Sequence, residues 1–211
     1  IREWVGTTRF ESLDRPLRYR DIVVLLRATR VNAEQVASMF TALGIPAFAE
    51  ASGSLLDALE VNDVLAALQA FDNLHQDIPL ASLLRSGILG DILSADELVA
   101  IRCHDPEGTF HEAVRAYGRN GDDPELRRRV AELLERIARY REEICRRPLA
   151  DALWDLYERH GYRAYAGGLP RGPQRQANLV KLHELARRFG TFRRQGLHRF
   201  LRFLESIEEQ D

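Results

Sequence analysis

The side chains in this chain best suited to a chemical task are cations. Between Gly161 and Phe203 stand Arg163, Arg171, Arg175, Lys181, Arg187, Arg188, Arg193, Arg194, Arg199 and Arg202, against one acid, Glu184. Guanidinium groups match phosphate bidentately, and so dense a cationic stretch attracts a polyanion. Catalysis needs a constellation of positioned groups, and none can be assembled here. The chain has no GxxxxGK[ST] phosphate loop, no HExxH or GxSxG, and no clustered carboxylates at metal-ligand spacing. His75, His104, His111, His160, His183 and His198 are scattered. His183 falls on the Arg-rich helix and reads as a polar surface position, since a catalytic histidine needs a positioned partner. Trp154, Tyr162, Tyr165 and Phe192 have faces that stack on bases, but on amphipathic helices such rings are expected in the core.

Two readings compete for Arg171, Arg175, Gln176, Asn178, Lys181 and Arg188, and for Arg193 and Arg194 beyond them. In the first, Gly167-Gly168-Leu169-Pro170 sets a turn, and the helix after it offers first-turn amides and arginines to nucleic-acid phosphates without reading sequence. In the second, Leu179, Leu182, Leu185, Ala186 and Phe189 form a buried face, while the cations solubilise the other face or bind acidic protein neighbours. Almost every cation here lacks a carboxylate at helical spacing, which favours a polyanion; acidic helices elsewhere in the chain are the alternative partners.

The elements that must position these residues follow from periodicity. Asp21 to Leu26 is a continuous aliphatic run, the pattern of a strand buried on both faces of a parallel sheet. Asn32 is a candidate cap for a helix whose Val36, Met39, Phe40 and Leu43 share one face. Gly44 ends it, and residues 45–49 read as a second strand, giving one βαβ unit. From Leu59 the pattern is helical, with Val61, Val64, Leu65, Leu68 and Phe71 in one stripe. A Pro/Gly-punctuated connection (77–90) leads to short helices near 94–103 and 109–118. Helices follow over 124–146, with Glu132–Arg136 and Glu135–Arg139 spaced as ion pairs, and over 147–161. The fold class expected is mainly α with a small α/β portion.

Composition narrows the class further. With 211 residues, 45% hydrophobic and 29% charged, the chain has the make-up of a globular protein. The net charge of −2 conceals the basic C-terminal third. Lys181 is the one lysine among 30 basic residues, a bias that a GC-rich genome explains better than phosphate chemistry does. Cys103 and Cys145 are far apart, which suits buried thiols in a reducing cytoplasm. No apolar run has the length of a membrane span. The chain opens at Ile1 without Met and closes on Glu208-Glu209-Gln210-Asp211, and reads as an excised piece of a longer protein.

Several segments carry a resemblance. Arg20-Asp21-Ile22-Val23-Val24-Leu25-Leu26-Arg27, then Leu43-Gly44-Ile45-Pro46, then Glu60-Val61-Asn62-Asp63-Val64-Leu65 resemble the start of the second motor domain of superfamily 1, UvrD/Rep-like helicases. The stretch from Gln76 to Ser86, and GGLPRGPQRQANL with the following GLHRFLRF, resemble one branch, the AddA component of the bacterial AddAB-type ATP-dependent helicase–nuclease. The resemblance implies that residues 1–77 are part of motor domain 2A and residues 78–211 a truncated, all-helical accessory domain 2B. It implies a parent enzyme with ATP and Mg, 3′→5′ helicase and exonuclease activity, a role in double-strand-break repair by recombination, and the AddB component as partner. The piece itself, without phosphate loop or nuclease carboxylates, would contact duplex DNA and do no chemistry. The rival implication is a module that docks the partner component without touching DNA. Relatives also place a glycine turn against phosphate; the aligned segment here runs from Gly87 to Gly90 with one extra residue. Arg27, and more loosely Arg30, align with the motor cleft.

Overall fold

The computed structural model describes residues 1–9, 14–27, 29–47, 55–190 and 196–208, with the side chains at 29–32 and 34 outside that set. The chain divides into two compact units, residues 1–53 and 54–211.

In the first unit the backbone closes on itself through Gly6 N–H to the Leu17 carbonyl (2.9 Å) and Leu17 N–H to the Thr8 carbonyl (2.9 Å). The Arg15 guanidinium grips both oxygens of Asp21 at 2.6 and 2.7 Å. That side-chain bond, with a second from the Arg18 amide, holds the Asp21 carboxyl far below its ordinary range. The same clamp ends Tyr19–Asp21 as a 3-10 turn. The expected strand does not form: Ile22 has extended backbone, yet no residue from 22 to 26 joins a ladder. Val23 is 78% and Leu25 91% exposed. A strand exists only through hydrogen bonds to a neighbour, and the described residues contain none. Helix α1 (Thr29–Ala42) does form, starting three residues before Asn32, and Gly44 at φ +69° terminates it. Its predicted apolar face is uncovered in part, with Met39 65% and Leu43 61% exposed. Residues 45–47 also join no ladder, and the rest of the second predicted strand lies outside the described residues.

The second unit is all-helical among its described residues. It comprises α2 (Leu59–Asp72), α3 (Asp77–Ser86), α4 (Ala95–His104), α5 (Phe110–Asn120), α6 (Pro124–Arg146), α7 (Leu149–Arg159), α8 (Tyr162–Gly168), α9 (Gly172–Gly190) and α10 (Leu197–Glu208). The fold class is therefore mainly α; the small α/β portion is absent from what is described. One hydrophobic core runs from Leu56 to Leu204. Helix α2 is its axle: Val61, Val64, Leu68 and Phe71 are buried, and α3, α6, α9 and α10 pack around it. Each such side chain contributes on the order of 1.5–3 kcal/mol by leaving water.

Helix α3 occupies what the Pro/Gly punctuation marked as a connection. Pro79 is the third residue of that helix, where an amide has no intrahelical acceptor, so proline is tolerated. Capping residues start the later helices. Ser94 and Thr109 each accept from the amide three residues on, with Glu97 and Glu112 closing the capping boxes. Asp123 caps α6 ahead of Pro124. Along α6, Leu126, Val130, Leu133 and Ile137 are buried as the spacing predicts, joined by Tyr140. Glu132–Arg136 forms at 3.4 Å. Cys103 and Cys145, expected as buried thiols, are both exposed and free, because they fall on the solvent faces of α4 and α6.

Candidate nucleic-acid interface

The basic stretch begins with a corner built from glycine. Gly172 opens α9 and is buried. A Cβ there would run into the carbonyl of Gly167, and one on Gly167 would meet the Gln176 amide. Arg171 sits at φ 62°, the one non-glycine residue with positive φ among those described. The spacing of Gly167, Pro170 and Gly172 thus folds α8 directly onto α9. Polar side chains tie the corner down: Gln176 Nε2 donates to the Arg163 carbonyl (3.3 Å), Arg175 Nε to the Pro170 carbonyl (3.0 Å) and Gln174 Nε2 to Asn178 Oδ1 (2.9 Å).

Two of the predicted phosphate ligands point inward. Arg175 Nη1 donates to Glu60 Oε2 at 2.7 Å, and Asn178 Nδ2 to Glu60 Oε1 at 2.8 Å. Glu60, on the first turn of α2, is only 4% exposed. One turn further, Asp63 Oδ2 accepts from the Tyr162 hydroxyl at 2.6 Å. Burial raises the Asp63 carboxyl against the lowering effect of that hydrogen bond, and burial together with Asp63 raises the Tyr162 hydroxyl. The result is a buried polar clasp joining α2, α8 and α9.

The outward side of α9 carries Lys181, Arg187 and Arg188, all exposed. Lys181 and Arg187 form no ion pair among the described residues, and neither does Arg199 on α10. The expectation that almost every cation lacks a carboxylate is corrected at three positions: Arg163 pairs with Glu158, Arg175 with Glu60 and Arg202 with Glu205. Their partners come from the preceding helix, from distant α2, and from three residues on. Arg171 is exposed at the corner. Arg193, Arg194 and Phe192 lie outside the described residues. His183, read as a surface position, is half-buried with its ring 4.9 Å from Trp154, and burial followed by Arg187 pushes its pKa down. Of the aromatics expected in the core, Tyr162 is buried, Trp154 half-buried and Tyr165 49% exposed.

The glycine turn lies elsewhere in the unit. Gly87 (φ +73°) and Gly90 (φ +83°) adopt left-handed backbone around the fully buried Ile88 and Leu89. The amide of Ile88 donates to Ser86 Oγ (3.3 Å) and that of Gly90 to the Gly87 carbonyl (2.9 Å). Arg136 Nη1 reaches the Leu89 carbonyl at 2.7 Å, and His160 lies beneath Gly90. Arg27 is exposed in the first unit; the side chain of Arg30 lies outside the described set.

Sequence reasoning missed Glu60, Asp63 and Tyr162 as members of the polar clasp. A signal existed, because Glu60 is in phase with Val64, Ala67 and Phe71, and a carboxylate on a buried helical face demands a cation. It also missed Arg129, whose guanidinium holds Asp91 at 2.8 and 2.9 Å, pairs with Glu97 and donates to the Ile92 carbonyl. No local spacing announces that contact, which spans more than 30 residues.

No protein-family model matches the chain. Among curated proteins, the AddA component of the ATP-dependent helicase/nuclease of Desulforudis audaxviator is 45% identical over 191 residues, covering 90% of this chain and 15% of the relative. The protein of the same name from Geobacillus kaustophilus is 40% identical over 206 residues (96% and 16%), and that of Oceanobacillus iheyensis 37% over 221 residues (100% and 18%). The chain thus spans less than a fifth of the length of these relatives. Over nearly its whole length it is homologous to one segment of the AddA component of ATP-dependent helicase/nucleases, and it belongs to that family.

Proposed function

We propose that the chain is a segment of a cytoplasmic ATP-dependent DNA helicase and nuclease, acting with its AddB partner in the repair of double-strand breaks, and that this segment contacts duplex DNA without reading its sequence. Identity of 37–45% along 90–100% of the chain supports the parent enzyme. ATP and Mg belong to the parent; the 3′→5′ helicase and exonuclease chemistry would be done by parts beyond this segment. Residues 1–77 are assigned to motor domain 2A and 78–211 to accessory domain 2B, following the motif order.

The observation that carries the DNA contact is the exposed side of α9, where Lys181 and Arg187 have no carboxylate partner among the described residues. Such cations bind phosphate in any sequence context. Arg171 and Arg188 extend the same reading, with Arg193 and Arg194 beyond α9. The Gly87–Gly90 turn stands as a further phosphate candidate, and Arg27 and Arg30 as motor-cleft candidates. Arg175 and Asn178 have a competing occupant in Glu60, so the DNA test is better made elsewhere: Arg175→Glu would place a second carboxylate against a buried one and disturb the fold.

The test is fluorescence anisotropy of a labelled duplex with a 3′ tail, titrated across salt. The Lys181→Glu, Arg187→Glu and Arg188→Glu triple variant is expected to weaken binding at least tenfold and to flatten the salt dependence by about one unit of log–log slope per phosphate contact removed. Unchanged affinity in a folded triple variant excludes this face. A second reading, docking of AddB without DNA contact, draws support from the arginines already used within the fold. Capture of AddB by a chain that binds no DNA at low salt would favour it.

A further inference from the structure

Away from α9, helices α5 and α6 run side by side and leave a slot of about 280 Å³ closed at one end by Leu74 of the α2–α3 loop. Its floor is Leu134, Ile137 and Ala138 of α6, and its rim carries Arg115 from α5 and Arg141 from α6. Arg141 Nε donates to the Phe71 carbonyl at 2.9 Å, anchoring that side chain over the end of α2. Neither arginine forms an ion pair among the described residues. His111 lines the same slot, is buried at 9% exposure, and has no hydrogen-bond partner for Nδ1 among the described residues. The His75 ring stands edge-on to it at 5.2 Å.

The charges around the slot are unevenly matched. Burial depresses the His111 pKa first, and His75, Arg115 and Arg141 add to the depression, with Glu112 opposing. Glu112 is already held by Thr109, through its amide and hydroxyl. The slot therefore has an apolar floor and a net positive rim. Nucleic-acid phosphates need the rim and gain nothing from the floor. A peptide that places an apolar side chain between carboxylates uses both, because it buries apolar area and brings opposite charges to the arginines.

From this charge and shape complementarity we infer that the α5–α6 slot is a docking site for an acidic peptide segment of a protein partner, with one apolar side chain seated on Leu134, Ile137 and Ala138 and flanking carboxylates on Arg115 and Arg141. This site is separate from the exposed face of α9 and does not depend on DNA contact there. Rim charges steer and select, while the apolar anchor supplies most of the affinity.

The probe is a fluorescein-labelled synthetic decapeptide with one Phe flanked on both sides by Asp and Glu, titrated with the whole 211-residue chain at low salt. Saturable binding is expected. It should weaken at least tenfold when the Phe becomes Ser or the acids become Asn and Gln. Ala138→Trp fills the slot from an exposed helix position, and Arg115→Glu reverses the rim without touching the Phe71 contact; each should weaken binding tenfold or more with helical circular dichroism unchanged. Neither change should alter binding of the tailed duplex, so loss of the DNA reading and loss of this one are separately visible. The inference is overturned if the peptide does not bind, if Ala138→Trp and Arg115→Glu leave its affinity intact, or if a labelled oligothymidine of equal length binds in its place and is displaced by Ala138→Trp.

Discussion

At the scale of single residues the informative one is Glu60. A carboxylate buried to this degree is tolerated only when paired and hydrogen-bonded, and Arg175 and Asn178 supply both conditions at 2.7 and 2.8 Å. Removing one partner strands the other, a loss of about 3 kcal/mol or more for a buried pair, whereas replacing both with apolar residues of similar volume is far milder. Urea unfolding should therefore show Arg175→Met as strongly destabilising, and Glu60→Leu with Arg175→Met as closer to the parent than either single change. Equal, additive losses would mean that the clasp contributes no coupling. The histidines give a second prediction. His111, His160 and His183 all have pKa values held below the ordinary 6.5, burial being the largest cause in each case. The unfolded chain then binds more protons below that value, so their stabilisation is complete above it and is lost as pH falls towards the folded values. Chemical denaturation midpoints should drop between pH 7 and pH 5. A flat profile would contradict neutral burial of these rings, and His160→Gln should reduce the slope.

Among elements, the α8–α9 corner is where sequence spacing becomes geometry. Gly167, Pro170 and Gly172 look like an anion-binding loop from their types alone, yet their first task is to let two helix backbones touch. Gly172→Ala pushes a methyl into the Gly167 carbonyl, and overpacking against backbone costs on the order of 1–3 kcal/mol. Gly168→Ala, at a helical position with open space around it, should be neutral or stabilising by about 0.5 kcal/mol. Thermal melts of the two variants decide this, and similar effects for both would remove the corner from the account. The run from Ile22 to Leu26 teaches the opposite lesson. Its aliphatic composition is that of a strand, but composition provides no hydrogen-bonding neighbour, and Val23 and Leu25 stay exposed. Such an edge invites association; Val23→Lys with Leu25→Lys should lower the weight-average mass in sedimentation at high concentration if this run drives self-association.

For the whole molecule, the boundary suggested by motif order and the boundary of packing ask different questions. Helix α2 supplies Val61, Val64, Leu68 and Phe71 to the helical core and Glu60 to the clasp. A chain of residues 54–211 is therefore expected to keep its helical circular dichroism and a cooperative melt. A chain of residues 78–211 should lose both, because it exposes a core surface and leaves Arg175 without its carboxylate. If 78–211 folds as well as 54–211, the axle role of α2 is wrong.

What the sequence determined by itself is what local physics determines. Periodicity at 3.6 residues placed the stripe of α2 and helices α4 to α7 and α9, and the residues Asp123, Pro124 and Gly44 marked their ends. The ordered motifs from Arg20 to Leu204 carried the family. Tertiary structure alone decided which way each charge faces. Arg175 and Lys181 stand six residues apart on one helix with the same formal charge, yet one meets a carboxylate 115 residues away and the other meets solvent. It also decided that α3 is a helix, that the thiols are exposed, and that Ile22 to Leu26 forms no strand here. The physical reason is common to all of these. Helical phase is written within a few residues, whereas the partner of a buried charge, the cover of an apolar face and the neighbour of a strand come from distant parts of the chain.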